Sequence, residues 1–150
     1  MEITHKTEYA LMMLAEMVRR PGEVISVRSV AEKKGIPYSF ARSIQHDLVR
    51  AGIVGSVRGS RGGMSLSIDP SKVTLLQVVE AIQGPILTSS PFDGPSENHP
   101  FAVVFDGANA LVREYLASVS LSDVVNGGKA PSLSPSYWAG HATGEALATA

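Results

Sequence analysis

Residues 26–63 read SVRSVAEKKGIPYSFARSIQHDLVRAGIVGSVRGSRGG, and the fold turns on them. Ser26 is placed to cap a short helix whose apolar residues Val27, Val30 and Ala31 fall on one side. Lys33 and Lys34 suit that helix's C-terminus, and Gly35 closes it. A second helix starts near Pro37, a residue tolerated in a first turn. Its expected buried line is Phe40, Ile44 and Leu48 with Ala41 beside it, and Gly52 ends it. Two helices separated only by Gly35-Ile36-Pro37 have the spacing of a helix-turn-helix. At 100° per residue, the face opposite the buried line carries Ser39, Arg42 and His46. That stripe begins at the helix N-terminus, the end that a recognition helix points at base edges. Alone, it equally fits the wet side of any amphipathic helix.

The next residues favour the sharper reading. Ile53 to Arg58 reads as a short strand, Gly59-Ser60-Arg61-Gly62-Gly63 as a turn, and Met64 to Ile68 as a strictly alternating strand. Three glycines in five residues permit positive φ and close backbone approach. A hairpin tipped by Arg58 and Arg61 directly after a helix-turn-helix is the wing of a winged helix, and such arms enter a minor groove or clamp phosphates. It is not a nucleotide-binding loop, because no Gly-Lys-Ser/Thr follows.

Upstream, Ala10, Leu11, Met13, Leu14, Met17 and Val18 recur at helical spacing from Thr7 to Arg20, where Pro21-Gly22 stops the pattern. Downstream, Thr74 and Gln77 form a capping box for a helix from Leu75 to Gln83, closed by Gly84-Pro85. Residues 86–100 read as a long surface loop. A long helix follows, its apolar stripe running through Phe101, Val104, Phe105, Ala108, Leu111, Val112, Tyr115, Leu116 and Val119. Ser122 is the candidate cap of a final turn through Val125. A winged-helix unit is already complete by Gly84, so the long stripe needs another surface, and its own copy in a second subunit is the economical one. Packing back on its own domain is the alternative. The expected fold class is mainly α with a small β-hairpin: a winged helix-turn-helix domain over 1–85, a loop over 86–100, a dimerisation helix and short ending over 101–125, and a flexible tail over 126–150 that contains Tyr137 and Trp138.

Composition narrows the chemistry. At 150 residues with 44% hydrophobic and 18% charged content, the chain is long enough for a core and is not a disordered composition. No apolar run is long enough to span a membrane, and the first residues lack a signal-peptide pattern, so the expected location is the cytoplasm. There is no cysteine, which excludes disulfides, thiolate metal sites and thiol nucleophiles. The net charge is −1, yet residues 28–72 hold eight basic residues (Arg28, Lys33, Lys34, Arg42, Arg50, Arg58, Arg61, Lys72) against Glu32, Asp47 and Asp69. Such an excess marks a polyanion-binding face or an ordinary solvated surface. His5, His46, His99 and His141 are scattered, and no triad order or paired carboxylates stand out, so an enzyme is not expected.

The order of motifs resembles the bacterial Rrf2-type winged-helix regulators, the group that includes IscR, NsrR and CymR. The matching stretches are Thr7-Glu8-Tyr9-Ala10-Leu11, Ile25-Ser26-Val27, Ile36-Pro37-Tyr38-Ser39-Phe40 and Leu48-Val49-Arg50-Ala51-Gly52-Ile53-Val54. The wing Val57 to Gly63 and the segment Val73 to Ile82 complete a match over about residues 1–85. The resemblance implies a homodimeric transcriptional regulator, a repressor of bacterial genes, on a roughly palindromic operator in double-stranded DNA. It places base contacts at Ser39 and Arg42 and minor-groove entry at Arg58. The full candidate DNA-binding set is Ser26, Arg28, Tyr38, Ser39, Arg42, Ser43, His46, Arg58, Ser60 and Arg61. The candidate dimerisation set is Phe101, Val104, Phe105, Ala108, Leu111, Val112, Tyr115 and Leu116.

Two departures matter. Cluster-binding members can carry an acidic residue where Arg42 stands, so an operator sequence does not transfer; arginine prefers guanine O6 and N7. Many members also hold an iron–sulfur cluster on three cysteines in the loop matching 86–100. This chain offers Ser89, Ser90, Asp93, Asn98 and His99 there. Glu8 matches the position of a non-cysteine ligand in some members, but a lone carboxylate cannot hold a thiolate cluster. Glu8 reads as a helix-surface or dimer-contact residue, with a harder metal held by Glu8 and His5 or His99 as the minor alternative. No cofactor and no metal are therefore expected, and the signal would be a small-molecule effector or a protein partner. The rival function is a protein-interaction module that holds and regulates a metabolic enzyme.

Overall fold

The computed structural model describes residues 2–86 and 101–127. Helix α1 spans His5–Val18, α2 Val27–Lys34 and α3 Tyr38–Arg50; strands β1 (Val54–Val57) and β2 (Gly63–Leu66) follow, then α4 (Leu75–Gln83), α5 (Ala102–Ser118) and α6 (Leu121–Val125). The expected loop 86–100 and tail 126–150, with Tyr137 and Trp138, lie almost wholly outside the described residues.

The local signals act where the sequence puts them. Ser26 Oγ accepts from Ser29 N at 3.4 Å to cap α2, and Gly35 closes it at φ 67°. Thr74 and Gln77 close both arms of their capping box at 2.9 and 3.2 Å. One end differs. The cap of α6 is Ser120, not Ser122: Ser120 accepts from Asp123 N while Asp123 Oδ2 accepts from Ser120 N, a second reciprocal box. Thr4, ahead of the periodic stretch, caps α1.

One core binds these elements. Ala10, Met13, Leu14 and Met17 of α1 pack with Val30 and Ala31 of α2, Ala41, Ile44 and Leu48 of α3, Val54 and Met64 of the hairpin, and Val78 of α4. Burying a side chain such as Leu48 contributes roughly 1.5–3 kcal/mol, so these contacts fix the angle between α2 and α3. Phe40 is not among them. It is 42% exposed and its ring meets Tyr9 edge-on at 5.9 Å. The reason is angular: Phe40 lies 40° beyond Ile44 around α3, on the flank facing α1 rather than on the buried line.

The hairpin is antiparallel with Val54 opposite Leu66 and Val57 opposite Gly63, so β1 is one residue shorter at each end than Ile53 to Arg58, and β2 begins at Gly63, expected in the turn, and ends at Leu66 rather than Ile68. Ile25 forms a bridge with Met64, so the wing is hydrogen-bonded to the segment that leads into α2. After α5 the chain returns to α4 through a second bridge, Thr74 with Ser120, in which Leu75 N donates to Val119 O and Leu121 N to Val73 O, both at 2.9 Å. Val119 is thus extended and buried in its own subunit instead of continuing the helical stripe.

Helix α5 has 17 residues, about 26 Å long. Its second half packs beside α4, where Arg113 pairs with Glu80 and Leu111, Val112, Tyr115 and Leu116 are half-buried. Its first turns are exposed, with Val103 at 60% and Val104 at 68%. No helix among the described residues is long and apolar enough to cross a membrane.

Candidate nucleic-acid interface

An open groove of about 630 Å³ runs between the start of α2, the face of α3 and the wing. Ser26 and Arg28 come from α2, Tyr38, Arg42 and Gln45 from α3, and Ser56, Val57, Arg58 and Ser60 from the hairpin and its turn. No carboxylate lines it. Arg28 stacks over the Tyr38 ring with its guanidinium carbon 4.5 Å from the centroid, which holds the charge at the groove wall while leaving its N–H donors available. Arg42 donates to Gln45 Oε1 at 3.1 Å.

The wing reaches the groove because of two glycines. A Cβ on Gly63 would stand 2.2 Å from Ile25 O, and one on Gly62 would stand 2.4 Å from Val57 O. Only glycine permits these approaches, and the hairpin they hold in place brings Arg58 to the groove that Arg42 lines from α3.

Ion pairing sorts the basic residues. Lys33 and Lys34 bind Glu16 at 2.5 and 3.3 Å, and Lys6 and Arg50 bind Asp47 at 2.6 and 3.2 Å. Hydrogen bonding from Lys33, aided by Lys34 and opposed by burial, holds the Glu16 carboxyl below its usual range. Burial raises the Asp47 carboxyl, but Lys6, Arg50 and a bond from His46 outweigh it and hold it below its usual range. Both acids are therefore ionised at neutral pH. Arg28, Arg42, Arg58 and Arg61 form no ion pair among the described residues. Of the eight basic residues counted over 28–72, Lys72 and these four arginines are the ones without an ion pair among the described residues, and three of the arginines line one groove.

Of the ten DNA-contacting candidates, Ser26, Arg28, Tyr38, Arg42, Arg58 and Ser60 come together in this groove. Ser39 and Ser43 line a separate shallow depression with Lys6 and Phe40, on the α1 side of the same helix. His46 and Arg61 are exposed and line neither; His46 Nδ1 lies 3.7 Å from Asp47 Oδ1. Sequence reasoning missed Gln45, which points to the edge between the buried and exposed faces of α3, and Lys6, which reaches α3 from α1.

The candidate metal ligands are less assembled. His5 and Glu8 face each other at 3.5 Å on exposed α1, with His5 stacked on Tyr9, and His99 lies outside the described residues.

Comparison with known proteins accounts for the arrangement. A family model described as "Rrf2: Iron-dependent Transcriptional regulator" matches residues 3–127. An rrf2-like HTH-type transcriptional regulator of Rhodobacter capsulatus is 34% identical over 127 residues, covering 82% of this chain and 84% of that protein. A crystal structure of a transcriptional regulator from Listeria innocua superposes with a TM-score of 0.74 at 31% identity, over 89% of this chain and 92% of that one. CymR, the global cysteine regulator of Bacillus subtilis, shares the fold with a TM-score of 0.73 at 24% identity, over 86% of this chain and 99% of its own. These relatives are regulators and not enzymes.

The iron in the family description does not fit the donors present as a thiolate-held cluster. The sequence has no cysteine, and among the described residues no three His, Asp or Glu side chains gather into a metal-binding group. The chain belongs to the Rrf2 family of transcriptional regulators.

Proposed function

We propose that the protein is a homodimeric repressor that binds a palindromic operator in double-stranded DNA without an iron–sulfur cluster. The observation that carries the reading is the arginine groove: Arg28, Arg42 and Arg58 converge on it, no acid lines it, and the protein's own carboxylates neutralise other basic residues instead. The start of α3 reads base edges in a major groove through Arg42, and the wing carries Arg58 into the adjacent minor groove or onto its phosphates. Ser39 and Ser43 lie on the other flank of α3, beside the Asp47-paired Lys6 of α1, where a recognition helix meets the opposite phosphate backbone.

The exposed apolar start of α5, with Val103, Val104, Gly107, Ala108 and Leu111 lining one shallow groove, supports pairing with a second copy. A two-fold dimer presents two such reading heads, hence a palindromic site. A small molecule or a protein partner supplies the signal. Sequencing the genomic fragments that the purified protein retains tests the reading: an enriched inverted repeat upstream of genes supports it, and retention without sequence enrichment contradicts it.

A further inference from the structure

We infer that Gln45 determines operator specificity: Arg42 engages the oxygen of its carboxamide and leaves the amide N–H donors to the groove, so the pair reads an acceptor edge, guanine above all, and not adenine. The inference rests on the DNA-binding reading and deepens it.

Gln45 is 7% exposed, lies one turn beyond Arg42 on α3, and lines the arginine groove. Its Oε1 accepts from Arg42 Nη1 at 3.1 Å. A guanidinium only donates, so the oxygen must be the end that faces it, which settles the orientation of the amide. The Nε2 end, with two donors, has no partner among the described residues. A donor so nearly buried and left unmade is costly unless a ligand or water completes it.

The consequence is chemical. Glutamine with both ends available pairs with adenine, accepting from N6 and donating to N7. Here Arg42 occupies one lone pair of the accepting end and draws that end toward itself, so the groups the pair offers the groove are chiefly donors. Guanine is the base that presents two acceptors, O6 and N7, on its major-groove edge.

In vitro selection from random duplexes with the full chain tests this, using wild type, Gln45→Met and Gln45→Glu, both close in shape to glutamine. Wild type is expected to select guanine at one base pair of each half-site. Both variants should lose about tenfold of discrimination there, read for each variant as the ratio of its affinities for the selected and the base-substituted duplex; Gln45→Glu, which adds a carboxylate to the groove, should in addition bind both duplexes more weakly. Gln45→Met removes both ends of the amide and Gln45→Glu removes only the donor while binding Arg42 more tightly, so a loss confined to the same base pair in both variants identifies the amide donor as the reading group. Should a variant fail to melt cooperatively, 7-deazaguanine at the selected position asks with unaltered protein whether the N7 acceptor is read by the pair; about tenfold loss is expected, and no loss overturns the proposal. Selection by both variants within about twofold of wild type at every position, or adenine selected by wild type at the affected base pair, overturns the proposal. Wild type that selects no sequence overturns the DNA-binding reading itself, and the two failures are thereby distinct.

Discussion

Ile25 and Met64 exchange both backbone hydrogen bonds, at 2.8 and 2.9 Å, and so join the lead-in of α2 to the second strand of the wing. The wing is therefore not a free arm. Its arginine is referenced to the same backbone that positions Arg28 and, through the packed turn, Arg42. Gly63 makes the joint possible, because any Cβ there meets Ile25 O at 2.2 Å.

Gly63→Ala should accordingly lower stability by about 1–3 kcal/mol, the usual cost of overpacking against backbone that cannot move aside. Gly59→Ala is the contrast: φ is 111° but nothing lies within 4 Å of the added carbon, so only conformational strain of about 1 kcal/mol is expected. Urea denaturation of the two variants checks the order. Equal costs would mean that the Ile25 joint does not constrain the wing.

Glu16 gives the pH dependence a sign. Its carboxyl, 5% exposed, is held below its usual 4.5 first by the hydrogen bond from Lys33, with burial acting against it and Lys34 acting with it. A carboxyl depressed in the folded state contributes stability that is present above the unfolded pKa and lost as pH falls through the folded one. Wild type should therefore lose stability below about pH 4.5 more steeply than Glu16→Gln, while at pH 7 the variant is the less stable of the two. Parallel denaturation curves across pH 2.5–7, on the order of five points, would contradict the assignment.

The first turns of α5 make a third prediction. Val104→Asp places a charge on an exposed position, so the monomer fold should persist. In an apolar dimer interface the same charge costs about 3–5 kcal/mol, enough to weaken association by roughly 100-fold or more. Sedimentation should show wild type as a dimer and the variant as a monomer with an unchanged circular dichroism spectrum. A dimeric variant would move the interface elsewhere.

Much of this architecture was legible because its signals are local. Ser26, Gly35, Thr74 with Gln77, and the glycines of the turn each act through neighbours within a few residues, and periodicity placed Ile44 and Leu48 correctly. Phe40 was misassigned since periodicity does not distinguish the centre of a buried face from its flank, where Tyr9 waits. The Ser120 cap carries the local pattern Ser-x-x-Asp, which Ser122 lacks. The candidate site was legible as a composition of arginines but not as a sorting of them. Arg50 meets Asp47 within one turn, but the neutralisation of Lys33 by Glu16 and of Lys6 by Asp47 depends on contacts across 17 and 41 positions of chain, and no local pattern encodes those. Gln45 escaped for a related reason: its meaning lies in its bond to Arg42 and in the groove that the wing closes over it.

That sorting is the central claim, and salt dependence tests it most directly. Affinity for an operator duplex should be measured against salt concentration for wild type, Arg58→Ala and Lys33→Ala, two variants that each remove one positive charge. The slope of log K against log salt reports phosphates neutralised, about −0.9 for each. Arg58→Ala is expected to bind far more weakly and to flatten the slope by about one contact, while Lys33→Ala keeps the wild-type slope because its charge faces Glu16. Tight binding by Arg58→Ala with an unchanged slope, or equal flattening by the two variants, would contradict the account.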